Sequence, residues 1–165
     1  MMDKLTQKSQ EALKTAQELA RERSHQELDG PHLALALTQQ TGTIVPMLLQ
    51  RAGVDLASWE SDLNTELDRR AQVEGVSSSD VFLSRDLKQA LDRAEQEAKA
   101  LTDDYLSAEH LLLGLLECGA VLKKLFQRQG VARAVLLEKM SEVRGSQRVT
   151  DANPEDKFEA LEKYG

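Results

Sequence analysis

The sequence predicts an all-α domain made of two copies of one four-helix unit, about eight helices in all. Three observations carry this. First, the chain repeats itself: residues 5–37 overlie residues 83–115 without a gap, at an offset of 78. Second, apolar residues recur at helical spacing in both copies. Third, only 3 prolines and 9 glycines occur in 165 residues, too few turns for a sandwich of short strands. Identical pairs include Leu5/Leu83, Ala12/Ala90, Leu13/Leu91, Ala16/Ala94, Ala20/Ala98, Leu28/Leu106 and His32/His110. After a one-residue adjustment, Leu48/Leu125, Gly53/Gly130 and Val54/Val131 also coincide. Most matched positions are apolar or glycine, so the copies share a packing plan more than a chemistry. The unit exceeds the 20–50 residues of solenoid repeats, and a doubled unit implies a closed pseudo-twofold body.

The first long helix of each copy comes from its stripe. Leu87, Leu91, Ala94, Ala98 and Leu101 lie on one face in the second copy, and Ala12, Leu13, Ala16, Leu19 and Ala20 in the first. Thr6 and Ser84 stand where a hydroxyl would cap the opening N–H groups. The second helix starts near Asp29-Gly30-Pro31 in copy one, with proline suited to its first turn, and at Ser107 in copy two. Residues 32–37 and 110–116 are apolar almost all round, so these helices are expected to be the most buried. A short third helix holds residues 44–49 and 121–126, ending at Gly53 and Gly130 in the left-handed position. The fourth covers about 55–70, with Leu56, Trp59, Leu63 and Leu67 inward. Its partner covers about 132–144, with Val135, Met140 and Val143 inward.

This organisation places a helical domain at 1–145, with repeat one at 3–70 and repeat two at 83–145. Residues 73–80 read as a polar loop between the copies. Residues 146–165 read as a linker leading toward further chain, with a weak helical pattern at Phe158, Leu161 and Tyr164.

Composition narrows the function. A formal net charge of -7 disfavours nucleic acid as a partner. The longest apolar run, residues 111–116, is far short of the ~20 residues that span a bilayer, so no membrane partner is expected. No secretory signal opens the chain, and the expected compartment is the cytoplasm. The single cysteine, Cys118, excludes a disulfide framework and reads as structural. The pattern G-x-x-x-x-G-K-[ST] is absent, so the chain is expected neither to bind nor to hydrolyse a nucleotide by that route. His32 and His110 read as helix-start residues at a repeated packing position, since no further ligands stand at metal-binding spacing. His25, in a polar helix-end segment, reads as solvated. Carboxylates such as Glu11, Glu18, Glu22, Glu95, Glu97, Asp103, Asp104 and Glu109 read mainly as solvated helix faces. Glu109 keeps two readings: it offsets a helix dipole in a first turn, or it meets a basic group of a bound chain. No catalytic constellation emerges, which favours a binding module over an enzyme.

Several of these residues together resemble a known family. They are Leu5-Thr6 before a long helix, the H-L-x-L-x-L helix in both copies, the central Val73-Glu74-Gly75 and the closing Ala160-Leu161-Glu162-Lys163-Tyr164-Gly165. The sequence is similar over nearly its whole length to the N-terminal domains of Clp AAA+ ATPases, above all the Hsp100-class disaggregases. The resemblance implies a double Clp N motif. It implies weak capture of unfolded or aggregated polypeptide, passed on to an ATPase ring. For the full-length protein it implies ATP and magnesium, a homohexamer and work with the DnaK chaperone system, whereas this chain alone would be monomeric and hold no cofactor. An alternative is a docking module for an adaptor or other partner, without direct client binding.

Carried over position by position, the resemblance implies substrate-binding roles for Thr6, Ser84, Leu91, Arg93, Asp103, Glu109 and His110. In some relatives a helix-opening hydroxyl and a glutamate help hold phosphorylated arginine. Ser84 and Glu109 fit that pattern in copy two, but Pro31 replaces the glutamate in copy one. Arg93 and His110 stand where the family's groove is apolar, which implies a smaller and more polar groove here.

Overall fold

A computed structural model describes residues 4–73, 81–145 and Ala152. Among these residues the order is α1 (Gln7–Glu22), β1 (Glu27–Leu28), α2 (Gly30–Gln39), α3 (Val45–Arg51), α4 (Leu56–Asp68), β2 (Phe82–Leu83), α5 (Arg85–Ala100), α6 (Ala108–Leu115), α7 (Gly119–Arg128) and α8 (Arg133–Arg144). The eight helices fall into two sets of four, as the internal repeat requires. The loop expected at 73–80, beyond Val73, and the weak helical pattern at Phe158, Leu161 and Tyr164 lie outside the described residues.

The apolar second helices form the centre. All residues from Gly30 to Thr38 and from Ala108 to Leu115 are buried. α2 packs on α6, α1 covers α2, and α5 covers α6. The small stripes Ala12, Ala16, Ala20 and Ala90, Ala94, Ala98 let the outer helices approach closely. Gly114 takes this furthest, since a Cβ there would run into the Ala90 carbonyl oxygen. Outside this layer α4 packs on α7 and α3 on α8, with the Trp59 ring tilted against Phe126 at 4.7 Å between centroids. The Trp59 indole N–H donates to Thr38 Oγ1 at 3.0 Å, which satisfies both buried groups.

Two short parallel contacts stitch the repeats together. Leu28 pairs with Leu83, and Leu106 pairs with Leu5. Moving each residue to its counterpart in the other copy converts one pair into the other. The backbone bonds follow suit: Ser84 N–H donates to the Leu28 carbonyl at 2.8 Å, and Thr6 N–H to the Leu106 carbonyl at 3.1 Å. Such reciprocity is what a pseudo-twofold relation produces, and a head-to-tail stack of repeats would not.

The capping scheme matches expectation and adds to it. Thr6 Oγ1 accepts from Ser9 N–H at 3.2 Å, and Ser84 Oγ from Leu87 N–H at 2.9 Å. Gly53 and Gly130 take φ of 95° and 74°, as left-handed helix ends. At α8 the inward face differs from the expected one. Leu136 and Met140 are buried, whereas Val135 and Val143 are only half-buried. Val135, Leu136 and Leu137 are consecutive apolar residues, so period alone leaves the phase of this helix undetermined.

Candidate functional site

The histidines at the starts of α2 and α6 each replace the usual acceptor of a capping box. Asp29 N–H donates to His32 Nδ1 at 3.0 Å, and Ser107 N–H to His110 Nδ1 at 2.8 Å. Both rings are fully buried. The other ring nitrogen therefore needs its own partner, and here the copies diverge. His110 Nε2–H donates to Asp103 Oδ2 at 2.7 Å. Asp103 Oδ1 accepts from Arg144 at 2.7 Å, and the same guanidinium lies 3.6 Å from Glu109. In copy one, His32 Nε2 meets His25 Nδ1 at 2.9 Å, so His25 occupies the position of Asp103.

Several readings are corrected by this geometry. His25 is buried rather than solvated. Asp103 and Glu109 are buried beside Arg144, and the basic group that Glu109 meets belongs to its own chain. Glu97 is buried too, 2.9 Å from Arg133 and 3.3 Å from Arg93. Polar residues at helical spacing look alike whether they face water or a distant arginine, so sequence alone hid these pairs. Cys118 packs into the space a Gly30 side chain would need, and its thiol is pushed up to about 12 by burial and by the nearby Asp29 and Asp86 carboxylates. No thiolate nucleophile forms there near neutrality.

Of the other residues named from sequence, Thr6 and Ser84 are buried caps. Thr6 donates to Ser9 Oγ at 3.0 Å, and Ser84 donates to Asp29 Oδ1 at 2.6 Å. Burial raises the Asp29 pKa, but the bonds from Ser84 and Arg70 outweigh it and hold the carboxyl below its ordinary value. Asp103, Glu109 and His110 come together in one network with Arg144. Arg93 is half-buried on α5 beside Glu97, and Leu91 lies elsewhere, in a groove.

That groove encloses about 390 Å³ and runs between the repeats. Leu13 of α1 and its counterpart Leu91 of α5 both line it. Leu28 of β1, Leu83 of β2 and the adjoining Val81 complete the apolar lining, and Gln10, Lys14 and Gln17 of α1 form a polar rim. The sequence signal for Leu28 and Leu83 was their identity with Leu106 and Leu5 outside any helical stripe. The lining offers no nucleophile and no acid–base pair. It can bury apolar side chains and hydrogen-bond a backbone at its edge. Among the described residues no helix is long and apolar enough to cross a membrane.

The family profile described as "Clp repeat (R) N-terminal domain" matches residues 4–129. The chain belongs to this family. A repeat in the family's description agrees with the doubled four-helix plan. The chaperone protein ClpB of Nitratidesulfovibrio vulgaris (strain Hildenborough) is 41% identical over 166 residues, covering 98% of this chain and 19% of its own length. The chain thus spans about a fifth of this relative. The Hsp104 N-terminal domain from Candida albicans has the same fold at a TM-score of 0.79, with 23% identity over 90% of this chain and 97% of its own. A ClpV N-domain in complex with a VipB peptide matches at a TM-score of 0.66 and 23% identity, covering 84% of this chain and 86% of that one.

Proposed function

We propose that this domain is the substrate-capturing N-terminal domain of an ATP-dependent protein disaggregase. Its groove receives apolar segments of unfolded or aggregated polypeptide and yields them to the ATPase ring. The observation that carries this reading is the apolar groove between the repeats, in a chain of the Clp N-terminal domain family. The VipB peptide in complex with the ClpV N-domain supports the idea that this fold can hold a peptide segment. In the full-length protein the ring would be a homohexamer using ATP and magnesium and acting with the DnaK system in the cytoplasm.

Leu91 is the residue in this proposal that touches client directly, together with Leu13, Leu28 and Leu83. Thr6 and Ser84 support the groove by capping α1 and α5, which line it; Asp103, Glu109 and His110 fix the start of α6, which packs on α5, and Arg93 lies on α5 outside the groove. A groove burying ~200–400 Å² of apolar client surface yields roughly 5–10 kcal/mol before association costs. Those costs take several kcal/mol, so micromolar or weaker affinity follows. Weak binding suits a receptor that must release its client, and six copies on a ring raise avidity.

The test is an NMR titration of the chain with a reduced, carboxymethylated protein and with its native form. Methyl shifts at Leu13, Leu28, Leu83 and Leu91 with the unfolded form alone support the reading. Shifts with neither form, or confined to a different face, overturn it. Binding of one folded partner at the groove, with no response to unfolded protein, establishes an adaptor-docking role instead.

A further inference from the structure

The corner between α1 and α2 has no free place for a proton. Asp29 N–H points at His32 Nδ1, which must therefore be unprotonated. His32 then carries its proton on Nε2 and donates it to His25 Nδ1 across 2.9 Å. His25 in turn carries its proton on Nε2. The result is a one-directional relay, Asp29 to His32 to His25, in which the His32 ring accepts one hydrogen bond and gives one. A second proton on His25 sets two N–H groups head to head. A second proton on His32 opposes the Asp29 amide.

We propose that the His25–His32 pair is an acid-sensitive latch of repeat one: protonation of either ring breaks the relay that joins the end of α1 to the start of α2 and opens that corner. The surrounding charges favour this response. Arg23 at the end of α1 and Arg70 after α4 both oppose an added positive charge. Asp68 of α4 and Asp29 at the start of α2 attract one, but each is engaged by an arginine, Asp68 by Arg23 and Asp29 by Arg70. Glu66 lies beyond, on the same Arg70. Burial lowers the pKa of His25, with Arg23 and Arg70 adding to it. Burial, the neighbouring His25 and Arg70 lower that of His32 to about 4. In repeat two the partner of the histidine is instead the Asp103 carboxylate, which sets no ring N–H against that of His110.

The sign follows from linkage. A histidine whose folded pKa lies below its unfolded value binds more protons when unfolded. Its stabilising effect is complete above about pH 6.5 and is lost as pH falls toward the folded value. Carboxylates of ordinary or lowered pKa stay ionised above pH 5, so the window from pH 7 to 5 reads the histidines.

Urea unfolding of the 165-residue chain across pH 7 to 5 is expected to show the folding constant falling about 20- to 30-fold per histidine held neutral. His25→Asp, which copies the arrangement of repeat two, removes one of the two histidines and is expected to lessen that fall. Amide exchange at pH 5 should accelerate at Asp29 relative to Ser107. Nitrogen-resolved ring spectra of the unmutated chain should show His25 and His32 as neutral Nε2–H tautomers at pH 6, a reading independent of whether the variant folds. A charged His25 or His32 ring in the folded chain at pH 6, a flat wild-type profile, or an unchanged slope in His25→Asp overturns the latch.

Discussion

The two repeats fold one backbone plan around two different polar corners. Repeat one closes its corner with neutral rings, His25 against His32. Repeat two closes the equivalent corner around a carboxylate, Asp103 against His110 and Arg144. The apolar pattern fixes the helices in both, so the corner is free to change chemistry as long as every buried donor and acceptor is met. The ionic corner is strong only while complete, because each charge was taken out of water to build it.

The sharpest way to break this comparison is to remove the ionic acceptor. Asp103→Ala leaves a buried His110 N–H and a mostly buried Arg144 without that carboxylate, and should cost ~3–5 kcal/mol. His25→Ala removes a neutral partner and should cost ~1–3 kcal/mol at neutral pH. Urea unfolding of both at pH 7 checks the order. Equal losses would mean the two corners are energetically interchangeable and the ionic design has no special dependence on completeness.

The groove offers a second contrast, between equivalent leucines. Leu91 is 5% exposed and belongs to the core, whereas Leu13 is half-buried at the rim of the same groove. Leu91→Ala should cost ~2–5 kcal/mol of stability and weaken client binding as well. Leu13→Ala should cost less than ~2 kcal/mol and weaken binding by a comparable factor, since a partly exposed side chain leaves a smaller cavity. Thermal melting and NMR titration on both variants separate packing from contact. Normal client binding by Leu13→Ala would move the site away from α1.

What the sequence disclosed and what it hid divide along the same line. The first and second helices of each repeat were legible because identical residues recur at one offset and lock the register. The groove was legible only through Leu91; Leu13, its equivalent on the first helix of the other repeat, read as a core-stripe residue. Leu28, Val81 and Leu83 come from two-residue strands and their flanks, too short for any period. The Asp103–Arg144 pair spans 41 positions, and no local pattern connects a helix-end aspartate with an arginine that far along the chain. His25 sits among Arg23, Ser24 and Gln26, and only the fold shows that its ring turns inward onto His32.

A third contrast concerns how closely the helices approach. Gly114 of α6 has Ala36 of α2 as its counterpart. The absent side chain lets α6 lie against the Ala90 carbonyl and Ala94 of α5. Gly114→Ala therefore overpacks repeat two and should cost ~1–3 kcal/mol, against the helix-propensity gain that alanine brings elsewhere. Ala36→Gly should cost only about 1 kcal/mol, from propensity and a lost methyl. Chemical denaturation of the two reciprocal variants decides it. A stabilised Gly114→Ala chain would show that the close α5–α6 contact is not required.

The smallest contrast is between the two hydroxyl caps. Thr6 and Ser84 each accept from the amide of the third residue onward and open the two long helices. Replacing either by alanine should cost ~0.5–2 kcal/mol, the usual range for a lost N-cap. The two should not cost the same. Ser84 also donates to Asp29 Oδ1, and Asp29 caps α2 in the other repeat while binding Arg70. Thr6 donates to Ser9, which passes the bond to the Leu106 carbonyl. Ser84→Ala withdraws a hydrogen bond from a carboxylate, which raises the Asp29 pKa toward its ordinary value. A depressed carboxyl pKa contributes stability above the unfolded value and loses it as pH falls through the folded one. The extra cost of Ser84→Ala over Thr6→Ala should therefore be present at pH 7 and shrink below about pH 4. Paired urea titrations at pH 7 and pH 3.5 measure it, and a pH-independent difference would place the Ser84 contribution in the cap alone rather than in the bond that ties α5 to α2.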